Sequence, residues 1–527
     1  MPINISQMSV IARKAVTSQD WETVAACATS ILQHNANSAE GYFLTGLVEK
    51  VNKRLVIAIQ AFEKTLDLDA NRYDAAVELA SQYSISRRNK EVAELLERYT
   101  EKLNNSPIYL DFAGTIYSEI GLPEKAWPLF VKANQLQPGV DLFQANLAAC
   151  GLYFGKVEES RDIYRALLKR FPNHQRNHYQ LARTATAEDR AHIDQMQEIL
   201  KQSDATADRN IFMYYALAKE LEDLKQWQES FRYYKQAGDA VCSVAKYDVA
   251  NDIALIDKVI EVCNADWISD NTVESGAKNS KKTPIFIVGL PRTGTTLTER
   301  IVSSHSQVES VGETLFLQMV LRRESGVHGI ENMNPEMIES LAQVDPGLIS
   351  TGYLEQIDYR LGESAFFIDK LPFNFLFLGF IVKAWPDARI IRLDRNPLDT
   401  CFSMFKQVFT WAYKFSYSLE DLGKYYVAYQ RLHQHWSEVL EDRLIEVEYE
   451  SLVSDTENQT RILLDKLGLE FEQNCLNFDK NTAPSTTASS VQVREKTHSR
   501  SIQRWQRFRD QLQPLKTHLE NAGIKVE

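Results

Sequence analysis

The chain has 527 residues, 44% hydrophobic and 25% charged, enough for two or more domains that each bury a core. Its 59 Lys and Arg against 71 Asp and Glu give a net charge of −12. That balance excludes a general nucleic-acid binder but leaves room for one basic pocket. No uninterrupted apolar run approaches the roughly 18 residues a membrane-spanning helix needs, so no membrane span is expected. The first ten residues, Met-Pro-Ile-Asn-Ile-Ser-Gln-Met-Ser-Val10, have neither the basic start nor the apolar core of a signal peptide. Six cysteines (Cys27, Cys150, Cys242, Cys263, Cys401, Cys475) are scattered without paired spacing. They predict reduced thiols in a cytoplasmic protein, with neither a disulfide framework nor a metal site.

From Ala39 the chain falls into four consecutive blocks of 34 residues, 39–72, 73–106, 107–140 and 141–174. Their eighth positions hold Gly46, Ala80, Gly114 and Ala148, and their twentieth hold Ala58, Val92, Ala126 and Ser160. Small residues at two fixed positions are what paired helices need where they touch. A looser block precedes at about 5–38 and another follows from Ile211, while 175–210 shows no clear pattern. A helix between 250 and 263 is expected to close the series. The pattern resembles tetratricopeptide repeats, which implies an α-solenoid over 1–265. Such arrays curl around a concave face that takes extended peptides, so acceptor or partner capture is one reading of this region. Simple packing on the rest of the chain is the other. The run 266–283 is polar, contains glycine and lacks helical periodicity, which predicts a linker between separable domains.

The next stretch carries the chemistry. Ile285, Phe286, Ile287 and Val288 predict a strand, Gly289 to Gly294 a turn, and Leu297, Ile301 and Val302 an amphipathic helix. Strand, glycine-bounded turn and helix present backbone N–H groups to a phosphate. The spacing Gly289-x4-Gly294-x-Thr296 is that of an ATP-binding loop, except that Thr295 stands where the phosphate-binding lysine belongs. A loop without that lysine suits a nucleotide whose 5′ end is not a triphosphate.

Pro291-Arg-Thr-Gly-Thr-Thr296 resembles the 5′-phosphosulfate loop of sulfotransferases that use 3′-phosphoadenosine 5′-phosphosulfate (PAPS). With the further segments below it most resembles the tyrosylprotein-sulfotransferase branch. The resemblance covers about 284–510 and implies a P-loop-like three-layer α/β domain with a parallel sheet over 284–527. It assigns Arg292, Thr293, Gly294, Thr295 and Thr296 to the cofactor. Gly312-Glu313-Thr314 resembles the segment of the catalytic glutamate, which makes Glu313 the base; His305 is the competing base, read instead as structural at a helix end. Lys370, in Lys-Leu-Pro-Phe373, resembles the family's Lys-x-Pro-Phe lysine, although Leu371 stands where Asp is common.

The strand 388–394 leads to Arg395, then Asn396-Pro397 start a helix that carries Ser403. This order resembles the family's 3′-phosphate site, and a guanidinium suits a dianionic phosphate. Tyr449 and Leu452 resemble a Tyr-x-x-Leu segment near the adenine. The segment 489–505 resembles the closing loop, placing Ser489 at the catalytic serine and Arg504 at a basic phosphate contact.

The resemblance thus implies in-line attack of an acceptor hydroxyl on the PAPS sulfur. Glu313 takes the proton, Lys370 and Ser489 stabilise the sulfuryl oxygens, and Arg292 holds the 5′ end. The acceptor, a peptide tyrosine, a glycan or a small phenol, is not readable from the sequence, nor is the oligomeric state. Two other readings stand beside this one: a P-loop kinase or ATPase, and a tetratricopeptide scaffold with an inactive nucleotide-binding half.

Overall fold

First helices of successive hairpins begin at Ile5, Ala39, Tyr73, Pro107, Asp141 and Gln175, and second helices at Trp21, Leu55, Asn89, Pro123, Val157 and Ala191. Each set advances by 34 residues, in a computed structural model that describes residues 5–103, 105–203, 205–270, 282–328, 333–409, 412–487, 490 and 492–527. The tetratricopeptide-like spacing therefore runs unbroken through 175–210, where the sequence showed no pattern. That block keeps a buried Ala182 at its eighth position, but its twentieth is Asp194, with a side chain 64% exposed. Its first helix, Gln175–Thr184, is only 10 residues long. The next hairpin, Ile211–Asp223 with Trp227–Val244, comes two residues late, and Val249–Val262 follows it.

The small positions do what their size requires. A β-carbon on Gly46 would lie 2.5 Å from the Phe62 ring, and one on Gly114 2.8 Å from Phe130. The first five hairpins turn through a left-handed residue two places before the second helix: Gln19, Lys53, Arg87, Gly121 and Gly155 have φ between +59° and +76°. The turn geometry is repeated even where no glycine relieves its cost of about 1 kcal/mol.

The chain divides into two compact units, Met1–Cys150 and Gly151–Glu527. The division does not fall in the 266–283 run expected from composition, and the reason is apolar packing. Within the second unit, Met213, Leu217, Tyr234, Val241, Ile256 and Val259 share one core with Phe286, Phe402, Phe405 and Phe508. Phe231 lies 5.9 Å from Phe405, and Trp227 5.5 Å from Phe508, ring centre to ring centre. Gly238 sits so close to the Tyr417 carbonyl that a β-carbon would not fit. The start of the expected linker is also packed, with Trp267 edge-on to Phe380 at 5.3 Å. Residues 271–281 lie outside the described residues.

Five strands form one parallel sheet: β1 (Thr283–Gly289), β2 (Val308–Gly312), β3 (Phe366–Asp369), β4 (Arg389–Asp394) and β5 (Leu444–Glu448), in the order β2-β3-β1-β4-β5. In β1, Ile285 pairs with Ile368 of β3 and with Arg389 of β4. Its residues alternate between two cores, Phe286 and Val288 to one, Ile285 and Ile287 to the other. The first core is covered by the helices Pro346–Ile357, Leu378–Ala384, Pro397–Phe405 and Leu419–Leu440 together with the hairpin 211–244. The second lies under Thr295–Val302, Tyr449–Ser454 and Thr456–Lys466. A sheet buried on both faces is why β1 reads as a continuous apolar run. It makes the expected three-layer α/β region.

From β1 the connections run to β2 and β3 on one side, and β4 lies on the other. The carboxyl ends of β1 and β4 therefore flank a switch point, where open α/β sheets bind ligands. Among the described residues, no helix is long and apolar enough to cross a membrane.

Candidate active site

Beyond β1 the chain turns sharply, and the turn depends on its glycines. Gly289 has φ +141°, and a β-carbon there would lie 2.8 Å from the Leu393 carbonyl of β4. Gly294, at φ +105°, precedes the helix Thr295–Val302 without a side-chain cap, and its own β-carbon would meet the Tyr449 ring at 2.6 Å. Arg292 between them also takes a left-handed φ of +71°. Thr293 closes the turn inward, its hydroxyl donating to Leu290 O at 2.7 Å. The helix N-terminus is left for an anion.

Arg395, at the end of β4, reaches across the switch point. Its Nη1 donates to Arg292 O at 2.8 Å and its Nη2 to Ser501 O at 2.5 Å. The guanidinium lies 4.8 Å from the Tyr449 ring centre, and its buried Nε has no partner. Burial, with Arg395 and Arg183 nearby, pushes the Arg292 guanidinium down to about 10. Cations crowded in this way gain from an anion placed among them.

Arg292, Gly294, Thr295, Thr296, Glu313, Arg395 and Tyr449, all named from the sequence, line one cleft of about 1090 Å³, part of it open solvent. Glu313 forms an ion pair with Lys370, whose Nζ also lies 3.6 Å from the Glu299 carboxylate. Lys370 is fully buried and does not line the cleft. Burial alone would lower its ammonium; Glu313 and Glu299 outweigh that and hold it above its ordinary range. Behind the pair, buried Asp369 accepts from Thr314 Oγ1 at 3.0 Å, Tyr353 OH at 2.6 Å and Asn374 Nδ2 at 3.2 Å. Burial raises its carboxyl to about 6 despite these donors. Asp369 precedes Lys370 and grips the residue after Glu313, so it fixes both.

Other sequence-derived residues are placed elsewhere. Ser403, on the helix Pro397–Phe405, does not line the cleft. Arg504 is turned away from the loop: its Nε donates to Glu222 Oε1 at 2.9 Å. That carboxylate is buried and lies 282 residues away in the chain. Ser489 lies outside the described residues. His305 has both ring nitrogens engaged, Nδ1 accepting from Gln307 N–H at 3.1 Å and Nε2 against Glu470 O at 2.9 Å. His305 does not line the cleft.

The cleft also contains residues the sequence reading missed. Gln492 accepts from Arg292 at 2.8 Å, and Thr487 lies 3.3 Å from the Thr296 hydroxyl. Phe409 and Tyr413 line the wall that also bears Glu313 and Pro372. Gln492 stood inside the recognised closing segment and was within reach of the reading. Phe409 and Tyr413 follow the helix Pro397–Phe405 in irregular chain, where no periodicity marks them.

Residues 284–473 match the Sulfotransferase family. An uncharacterised protein of Aquifex aeolicus (strain VF5) is 29% identical over 59% of this chain and 42% of its own length. Protein-tyrosine sulfotransferase 2 of Gallus gallus is 25% identical over 40% of this chain and 58% of its own length. The match to these curated relatives thus spans about half of their length. Among solved structures, the sulfotransferase domain of the Synechococcus PCC 7002 olefin synthase aligns at 21% identity over 44% of this chain and 90% of its own, with a TM-score of 0.30. The chain is thus distantly similar to tyrosylprotein sulfotransferases, as the motifs implied.

Proposed function

We propose that this protein is a PAPS-dependent sulfotransferase acting on an acceptor hydroxyl. One observation carries the reading: Glu313, ion-paired to the buried Lys370 behind it, shares a single cleft with the phosphate loop and Arg395. The donor set suits a nucleotide with anionic groups at both ends. The uncapped helix start, Arg292 and Arg395, whose buried Nε has no partner, meet at the same cleft. PAPS, when bound, supplies the sulfuryl group and a stable bisphosphate leaving group.

The chain's residues then divide the work. Arg292 and the amides of 293–296 hold the 5′ end, Arg395 holds the 3′-phosphate, and Tyr449 packs beside them. Glu313, on the cleft wall, takes the acceptor proton. That transfer neutralises Glu313 and leaves the Lys370 ammonium to offset negative charge developing at the reacting oxygens. Glu299 keeps Lys370 charged throughout. Ser403 and Arg504 receive no direct role. Phe409, Tyr413 and Pro372 next to Glu313 suit the flat ring of a phenol, so a peptide tyrosine or small phenol is preferred over a glycan. The first unit, which shares none of the catalytic residues, is assigned to capture of an extended acceptor or a protein partner. The nucleotide part of this reading is tested by melting curves. 3′-Phosphoadenosine 5′-phosphate should raise the melting temperature well above the effect of ADP, and equal shifts would remove the 3′-phosphate from the account.

A further inference from the structure

The segment 492–501 supplies much of the cleft lining, including Gln492, Lys496, His498 and Ser501. Its ends are not held by the sheet region alone. At the far end, Ser501 O accepts from Arg395, and the Gln503 and Trp505 N–H groups donate to Asp399 at 2.6 and 2.9 Å. Arg504, within that stretch, is held by Glu222 from the helix Ile211–Asp223, with Nε at 2.9 Å and Nη2 at 2.8 Å from one oxygen. At the near end, Arg494 Nη2 donates to Tyr153 O at 2.7 Å, and Ser485 N–H donates to the same carbonyl at 3.0 Å. A β-carbon on Gly155 would lie 2.5 Å from the Arg494 side chain. Helical hairpins therefore grip both ends of the segment that covers the nucleotide cleft.

Glu222 is fully committed. Its carboxylate also takes Lys406 Nζ at 2.9 Å and Tyr234 OH at 2.9 Å, and its side chain is 3% exposed. One buried anion thus faces two cations. Its removal leaves Lys406 and Arg504 repelling each other without a counterion, so Arg504 has to leave. We propose that Glu222 is a positioning residue of the nucleotide cleft, a residue of the helical repeats that fixes Arg504 and through it the 492–501 lining. The inference rests on the reading of the cleft as a PAPS site. It gives the innermost repeats a function other than acceptor capture: whatever displaces the hairpin 211–244 loosens the cleft, and by reciprocity nucleotide binding tightens that hairpin.

The test uses the full chain and 3′-phosphoadenosine 5′-phosphate as probe, with affinity measured by calorimetry and stability by melting. Glu222→Gln and Arg504→Gln should each weaken binding by about 10-fold or more, within the usual range of coupling between sites. The double variant should lose no more than either single one, because both act through one contact. Asp239→Asn, which removes only a surface pair with Lys235 on the same hairpin, should bind as the unmodified chain does. If Glu222→Gln lowers the melting temperature yet binds the probe normally, or if the two losses add, Glu222 is structural and the proposal falls. Should Glu222→Gln fail to fold, Arg504→Gln decides alone: its side chain is 34% exposed, and unchanged affinity would overturn the proposal. An unmodified chain that does not bind the probe overturns the cleft reading itself and this inference with it.

Discussion

Arg395→Gln offers the sharpest perturbation of the nucleotide site. Two of the guanidinium nitrogens already serve the chain, bonding the Arg292 and Ser501 carbonyls, and the buried Nε has no partner. If a 3′-phosphate takes only that spare N–H, the gain is one charge-assisted hydrogen bond, about 1.5–3 kcal/mol. That corresponds to about a 10- to 150-fold preference for a nucleotide bearing the 3′-phosphate over one lacking it. The assay is calorimetric titration of the unmodified and variant chains with 3′-phosphoadenosine 5′-phosphate and with adenosine 5′-phosphate. The unmodified chain should show that preference, and Arg395→Gln should bind both ligands with nearly equal, weaker affinity. Adenosine 5′-phosphate binding should fall less, because the 5′ end is held by Arg292 and the loop amides. A variant that keeps the full preference would show that the 3′-phosphate is read elsewhere, and the assignment of Arg395 would be wrong.

Further outcomes are expected. Lys370→Met leaves Glu299 and Glu313 facing each other without their cation, so it should lower stability as well as transfer, whereas Glu313→Gln should leave nucleotide affinity nearly unchanged by calorimetry. A fragment starting at residue 280 loses Leu217, Tyr234 and Val259 from a shared core and should be insoluble or melt without cooperativity; a soluble fragment that melts cooperatively would contradict the shared core. His178 is held neutral, its Nε2–H donating to Pro172 O and its Nδ1 accepting from His192, and burial lowers it to about 4 from an ordinary 6.5. Its contribution is complete above pH 6.5 and is lost as pH falls towards 4. That loss is up to about 3 kcal/mol, so melting temperature should drop across this window and His178→Asn should flatten the drop.

The parts of the structure carried by local pattern were readable in the sequence. Small residues every 34 positions gave the hairpins, because Gly46 and Gly114 lie directly against Phe62 and Phe130. The phosphate loop was equally local, since its glycines and helix start lie within a few residues of each other. What was not readable depends on distant partners. The polar run 266–283 suggested separable halves, yet the hairpin 211–244 contributes to the core of the sheet region through residues that look like ordinary repeat interior. Arg504 matched a phosphate-contact position by spacing alone. The carboxylate it pairs with, Glu222, is 282 residues away and carries no local mark. Asp369 was hidden for a similar reason: its three partners come from separate parts of the chain, and only the folded sheet brings them to one carboxylate.

The central claim is sulfuryl transfer from PAPS to a hydroxyl with Glu313 as base. The direct measurement is transfer of labelled sulfate from PAPS to a tyrosine peptide and to a small phenol, by the unmodified chain and by Glu313→Gln. The account predicts label on at least one of these acceptors, and a fall of about 10²- to 10⁴-fold in the variant. A chain that binds the nucleotide but transfers no label to either acceptor, or a variant that keeps most of the activity, would contradict it.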